Sequence, residues 1–412
     1  MENKKLQLKN NKSLYLIAQC LIMINCFLCF LEIYESHLMP LSYGLIAISI
    51  VLFFISGSYK SFRFSTISTS FIVLFCYLLL GDLINFNITT FTSQMCLSGL
   101  ALFFFFSFFS GDIEDNRNNN ISILFVATVV STVISCLSIV FGEREFDGST
   151  IGILTNRNSL AAYTTVGIIG SIYLFNIEKL ISLKNIILGF FLIVNVYTLY
   201  LTKSRTPVMV LMVFAIIMVF YVLCIFFGKK KNSKLMRIAF IFFCIILISI
   251  CTLFIIYRNS FALNSDNFRD FINKLSSSRL SIWETCIELT KESPVFGVKD
   301  ARYDEFMMER IGVINSPHNV YLSLMTVNGI PALLIYLFII GYTIVSAIRL
   351  IIKLDNNEDK KRIFFYLAIL IGYLVGDLFE CFSIRSYMPS AYIVILMFSA
   401  IEAERLNNGK KV

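Results

Sequence analysis

Few residues in this chain can do polar chemistry, and they fall into short segments. His318, one of only two histidines, stands in Ser316-Pro317-His318-Asn319-Val320-Tyr321-Leu322. Arg279 and Trp283 stand four apart in a segment that runs on to Pro294 and Gly297. Lys203 and Arg205 occupy Leu201-Thr202-Lys203-Ser204-Arg205-Thr206-Pro207, between two apolar runs. Arg157 lies in the stretch from Gly152 to Ala162. Asp377 and Glu380, three apart on one helix face, precede Arg385. A guanidinium is always charged and forks onto phosphate oxygens, so several arginines suit a diphosphate. An imidazole titrates near neutrality and can serve as a general base. Blander readings stand beside these. An interfacial Arg can snorkel to lipid headgroups, and a lone histidine often makes one structural hydrogen bond, the reading that fits His37. Asp82, Asp377 and Glu380 are carboxylates in or near apolar runs, which are expensive there. All three lie near run ends, which speaks against a proton relay across the membrane.

The elements that must position these residues are membrane helices. The 412 residues are 57% hydrophobic and 15% charged, with 41 Phe and a mean hydropathy of +0.77. A soluble domain carries about 25% charged residues. Continuous apolar runs, rather than alternating segments of about ten residues, give an all-α polytopic membrane protein and exclude a β-barrel. Runs long enough to span a bilayer fall at 14–33, 41–56, 67–85, 94–110, 121–141, 159–176, 185–202, 206–228, 238–257, 330–350, 363–381 and 389–403. The sequence therefore predicts twelve transmembrane helices. Alternate connections are basic, such as Lys229, Lys230, Lys231, Lys234 and Arg237, while the short intervening ones are poor in Lys and Arg. The positive-inside rule then places both termini in the cytoplasm and the long loop between spans nine and ten outside. The net charge of +8 is thus an orientation signal and not a nucleic-acid surface. The N-terminus runs into its first span without a small-residue cleavage site, as a retained helix does. Ten of the eleven cysteines lie in or beside apolar runs, and no Cys or His spacing suggests a metal site.

Three regions follow: a membrane bundle over 1–257, an extracytoplasmic catalytic loop over 258–329, and a second membrane portion over 330–412. Acidic residues balance the basic ones in the loop, so it is not a polyanion-binding patch. Residues 279–292 read as a short helix with Leu280, Trp283 and Ile287 on one face, Arg279 sharing that face, and Pro294 ending it. Gly297 marks a turn. His318 opens a further helical stretch, broken at Gly329-Ile330-Pro331.

The segments Gly152–Ala162, Leu201–Arg205, Arg279–Gly297 and Ser316–Tyr321, in this order, resemble the O-antigen ligase and Wzy-type polymerase family. The family's loop carries an Arg, a Trp four residues on, a Pro-x-x-Gly turn and a His-Asn-x-Tyr motif. Here these are Arg279, Trp283, Pro294 with Gly297, and His318-Asn319 with Tyr321. Ser204-Arg205 looks like the family's mid-chain Ser-Arg, and Asn156–Ala161 like its Asn-x-Asn followed by Leu-Ala. The resemblance covers about 150–345. It implies a metal-independent membrane glycosyltransferase, without a cofactor, that uses undecaprenyl-diphosphate-linked oligosaccharide at the outer face of the bacterial cytoplasmic membrane. It gives Arg205 and Arg279 the diphosphate and His318 the acceptor hydroxyl. Arg157 is added as a third cation from its position alone. Lys203, Trp283, Asn319, Tyr321, Asp377 and Glu380 are secondary candidates. With no Asp-x-Asp pair expected outside, arginines would offset the charge developing on the leaving diphosphate. The leading expectation is a polymerase of repeat units for a capsule or O-antigen, with membrane lipid, a chain-length regulator and a flippase as partners. The alternatives are transfer of finished glycan by a ligase and a lipid-linked sugar flippase. A flippase wants inverted repeats and broken helices, and the sequence shows neither.

Overall fold

The computed structural model describes residues 39–56, 64–84, 113–175 except 147 and 155, 181–228, 279–312, 316–381 except 355, and 389–408, together with positions 14, 17, 18 and 21. The runs expected at 94–110 and 238–257, most of that at 14–33, the loop stretch 258–278, His37 and Arg385 lie outside these residues.

Almost all of the described chain is helical. In chain order the helices are α1 (Met39–Ile55), α2 (Thr66–Ile84), α3 (Ile113–Phe141), α4 (Arg157–Leu174), α5 (Leu183–Thr202), α6 (Thr206–Gly228), α7 (Leu280–Glu292), α8 (Lys299–Ile311), α9 (Val320–Asn328), α10 (Ile330–Lys353), α11 (Asn357–Gly376) and α12 (Pro389–Asn408). A small antiparallel hairpin, β1 (Glu143–Arg144) with β2 (Thr150–Gly152), joins α3 to α4. Neither this hairpin nor α8 is visible in the hydropathy pattern. Among the described residues, α2, the 121–141 part of α3, α5, the first 18 residues of α6 and α10 are long and apolar enough to cross a bilayer.

The core is built around α11. Tyr366, Ile369, Leu370 and Tyr373 are buried there, against α6 on one side and α12 on another. The outward faces stay apolar. On α5, Ile186, Phe190, Ile193, Tyr197 and Tyr200 form one exposed stripe at helical spacing. Such a stripe is unfavourable in water and suits lipid. Inside α3, α4 and α5 the glue is polar. Asn195 Nδ2 donates to Thr132 Oγ1 at 2.8 Å, and Ser135 Oγ donates to Asn195 Oδ1 at 2.9 Å. Hydrogen bonds of this kind hold helices together where lipid removes the hydrophobic drive.

The helices α7 and α8 form a cap with its own small core of Ile282, Cys286, Leu289, Val298, Tyr303 and Met307, packed on α9, whose Val320 and Leu324 belong to the bundle core. This corrects the helix face expected for 279–292. Ile287 is exposed, and Leu280 and Trp283 are only half-buried. The buried face is Ile282, Thr285, Cys286, Leu289 and Thr290, because α8 supplies the apolar partner that sequence reading left out. Burial raises both the Cys286 thiol and the Tyr303 phenol above their ordinary values.

The turn Pro294–Gly297 is clamped between the cap and the bundle. Ile330 N donates to Pro294 O at 2.8 Å, and Val298 N donates to Thr326 O at 2.9 Å. Gly297 and Gly329 both have positive φ, at 71° and 90°. A Cβ on Gly297 would lie 2.3 Å from the Val327 backbone, and one on Gly329 would lie 1.8 Å from Val295 O. The Pro-x-x-Gly spacing therefore lets two backbones pass closer than side chains allow. Tyr77 of α2 donates its hydroxyl to Val295 O and stacks on Phe296 at 5.8 Å. Next to this contact, Lys299 Nζ lies 3.1 Å from Asp82 Oδ1 and 3.3 Å from Asn328 Oδ1.

Candidate active site

The ends of α4, α5, α7 and α9 and the turn after α11 meet at the edge of the cap. The first is the approach to α9. His318 lies just ahead of this helix and does not open it as expected, and its φ is +47°. A side chain other than glycine persists in that region only when its surroundings hold it there. Both flanks are pinned. Trp283 Nε1 donates to Pro317 O at 2.9 Å. Asn319 Oδ1 caps α9 by accepting from Leu322 N at 3.0 Å, and its Nδ2 donates to Leu378 O at 3.0 Å. Val320 N donates to Asp377 O at 2.9 Å, and Tyr321 Oη donates to Leu374 O at 2.8 Å. The His-Asn-x-Tyr motif thus straps the histidine to residues 374–378.

Those residues form the second part. The run expected at 363–381 ends earlier, since α11 stops at Gly376 and residues 377–380 form a tight turn. Phe379 N and Glu380 N both donate to Gly376 O, at 2.9 and 3.0 Å. Asp377 and Glu380 therefore do not continue one helix face. Asp377 is fully buried, and its backbone carbonyl serves Val320. Glu380, 6% exposed, is turned toward the histidine, with Oε1 lying 2.7 Å from His318 Nδ1.

The third part is the start of α7. Arg279 takes the N-cap position and gives no side-chain cap to the helix. Its guanidinium instead donates to Phe379 O and lies 3.9 Å from Glu380 Oε2. Burial lowers the Arg279 pKa, and the Glu380 charge opposes that shift.

The fourth part comes from the α4 and α5 ends. Asn158 Nδ2 donates to Glu380 Oε2 at 3.0 Å, and Ser204 Oγ donates to Asn158 Oδ1 at 2.9 Å. Lys203, with φ +52°, caps the C-terminus of α5 through its backbone N–H to Tyr200 O. Arg205 is exposed at the head of α6, where its carbonyl accepts from Met209 N. Arg157 is turned the other way, 3.3 Å from Glu145 Oε2 and 3.3 Å from Ser149 Oγ of the hairpin region. Its neighbour Asn158, which the sequence did not single out, makes the contact to the site. The available signal was the Asn156-x-Asn158 pattern. There Asn156 caps α4 through Asn158 N, and that leaves the Asn158 side chain for the site.

The structure thus brings His318, Arg279, Glu380, Asn158 and Ser204 into one hydrogen-bonded and ionic array, with Trp283, Asn319, Tyr321 and Asp377 supporting it. Arg205 is joined to it through its neighbour Ser204. Among the described residues, no group of three His, Cys, Asp or Glu could hold a metal ion. The array offers an imidazole, a partly buried guanidinium and a carboxylate, groups that can move a proton and offset negative charge.

Residues 188–337 match the family model described as O-Antigen ligase. The match runs from α5 into α10 and takes in Ser204, Arg205, Arg279, Trp283, His318, Asn319 and Tyr321. No curated protein matches the chain.

Proposed function

We propose that this chain, whose residues 188–337 match the O-antigen ligase family model, is a member of the O-antigen ligase and Wzy-type family and a glycosyltransferase that polymerises undecaprenyl-diphosphate-linked repeat units into a surface polysaccharide. Its site would lie at the outer face of the bacterial cytoplasmic membrane, with both termini inside. The observation that carries this reading is the arrival of His318 and Arg279, from separate segments, at one carboxylate. In the proposed step an acceptor hydroxyl oxygen bonds to the anomeric carbon of the donor. The bond from that carbon to the diphosphate breaks, and the diphosphate leaves with the electron pair. The hydroxyl proton passes to His318 Nε2. Arg279 and Arg205 offset the charge on the leaving group, whereas Arg157 is held by Glu145. Membrane helices suit a donor with a polyprenyl tail, because the tail stays in lipid while the sugar reaches the cap. Transfer of a finished glycan by a ligase uses the same chemistry and differs in the acceptor.

The test is His318→Ala, expressed at wild-type level in a host deleted for this gene, with surface polysaccharide resolved by size. The expected result is single repeat units in place of a ladder. A normal ladder that also reaches its final acceptor would overturn the assignment of the base. A normal ladder that no longer reaches its final acceptor would favour the ligase. Loss of every lipid-linked unit from the outer leaflet would favour a flippase.

A further inference from the structure

We infer that Glu380 is a positioning residue for the base, and that it couples His318 to the Ser204-Arg205 segment through Asn158. This inference rests on reading His318 as the base. Glu380 is 6% exposed, and a buried carboxylate needs partners. Its two oxygens divide them. Oε1 faces His318 Nδ1 at 2.7 Å, while Oε2 takes the Asn158 amide at 3.0 Å and the Arg279 guanidinium at 3.9 Å.

The roles follow from what each group can donate. A carboxylate only accepts, so His318 Nδ1 carries the hydrogen and the imidazole lone pair is on Nε2. The same constraint turns the Asn158 amide so that Nδ2 faces Glu380 and Oδ1 faces Ser204, whose hydroxyl donates at 2.9 Å. One carboxylate therefore fixes a tautomer, a ring orientation and an amide orientation. When Nε2 takes the acceptor proton, Glu380 faces the resulting imidazolium as its counter-charge and is not itself protonated. Coupling through Asn158 also ties the base to Ser204, in the turn that carries Arg205.

The experiment uses the full-length protein in lipid nanodiscs. The donor is lipid-linked oligosaccharide extracted from a host lacking this gene. Initial rates are measured for wild type, Glu380→Gln, Asn158→Ala, His318→Ala and the double variant His318→Ala/Glu380→Gln. Glu380→Gln is expected to lower kcat by about 100-fold, within the range a general base contributes, with donor KM within about threefold of wild type. Asn158→Ala is expected to lower kcat less, by about tenfold, with the same unchanged KM. The double variant is expected to be no slower than His318→Ala, since residues that act as a unit are not additive. If His318→Ala is inactive while Glu380→Gln and Asn158→Ala keep wild-type kcat, the Glu380 inference fails and the base assignment stands. If His318→Ala keeps wild-type kcat, the base assignment fails and takes the inference with it. A rise in KM alone, or multiplying losses in the double variant, would make Glu380 a structural or donor-binding residue. Should Glu380→Gln not fold, the Asn158→Ala kcat decides.

Discussion

Removing the buried Lys299 should loosen the cap from the bundle. Lys299 opens α8 with a φ of 60°, and its side chain is 6% exposed beside an Asp82 side chain at 0%. At 3.1 Å and an effective dielectric constant of about 20, the pair attracts by about 5 kcal/mol. Desolvation of both groups cancels much of that sum. Removing one partner is different, because it strands the other charge in a buried site, at about 3–5 kcal/mol. Lys299→Met leaves Asp82 in that position at the end of α2. Asp82→Asn strands Lys299 instead, with Asn328 as its remaining hydrogen-bond acceptor. The double variant Asp82→Asn/Lys299→Met removes both charges and should fall close to wild type. Amide hydrogen exchange over α7 and α8 in nanodiscs reads the opening of the cap directly. Each single variant should speed exchange there by about 100-fold or more, taking the lower end of that range and about 1.4 kcal/mol per tenfold. The double variant should recover most of the protection. Exchange in Lys299→Met within about threefold of wild type would refute the reasoning. So would a double variant whose loss equals the sum of the singles, because the cycle would then show no coupling.

Two further outcomes follow from the clamped turn and the pinned histidine. Gly329→Ala should fail to assemble, since its Cβ would lie 1.8 Å from Val295 O at a φ of 90°. Folded yield and thermal unfolding in detergent check this, and a wild-type Tm would contradict the close approach. Trp283→Phe keeps the ring but loses the indole hydrogen bond to Pro317 O. It should destabilise by about 1 kcal/mol and shorten the polysaccharide ladder, whereas an unchanged ladder would release Pro317 from any part in holding His318.

The apolar runs were legible because a bilayer demands long continuous stretches and leaves little choice of element. The described helices α2, α5, α6 and α10 follow those stretches closely. The face of α7 was not legible. Its apolar positions could satisfy either of two faces, and α8, whose sequence reads as a mostly polar run, decided between them. The end of α11 was missed for a related reason. Apolar residues continue past Gly376, so hydropathy carries on where the backbone turns.

The site divides in the same way. The sequence by itself marked the candidate residues, because His318, Arg279 and Arg205 stand out against a greasy background. The resemblance to the family added Trp283, Asn319 and Tyr321 to these. Only the tertiary structure decided which of these residues meet. Glu380 was one of several carboxylates near run ends until the turn after Gly376 aimed it at a histidine 62 positions away. Asn158 reaches the same carboxylate across 222 positions, and Arg157 beside it turns instead to Glu145. Spacing along a chain fixes directions only within one helix or turn. Contacts between segments depend on how the helices pack and where each one stops.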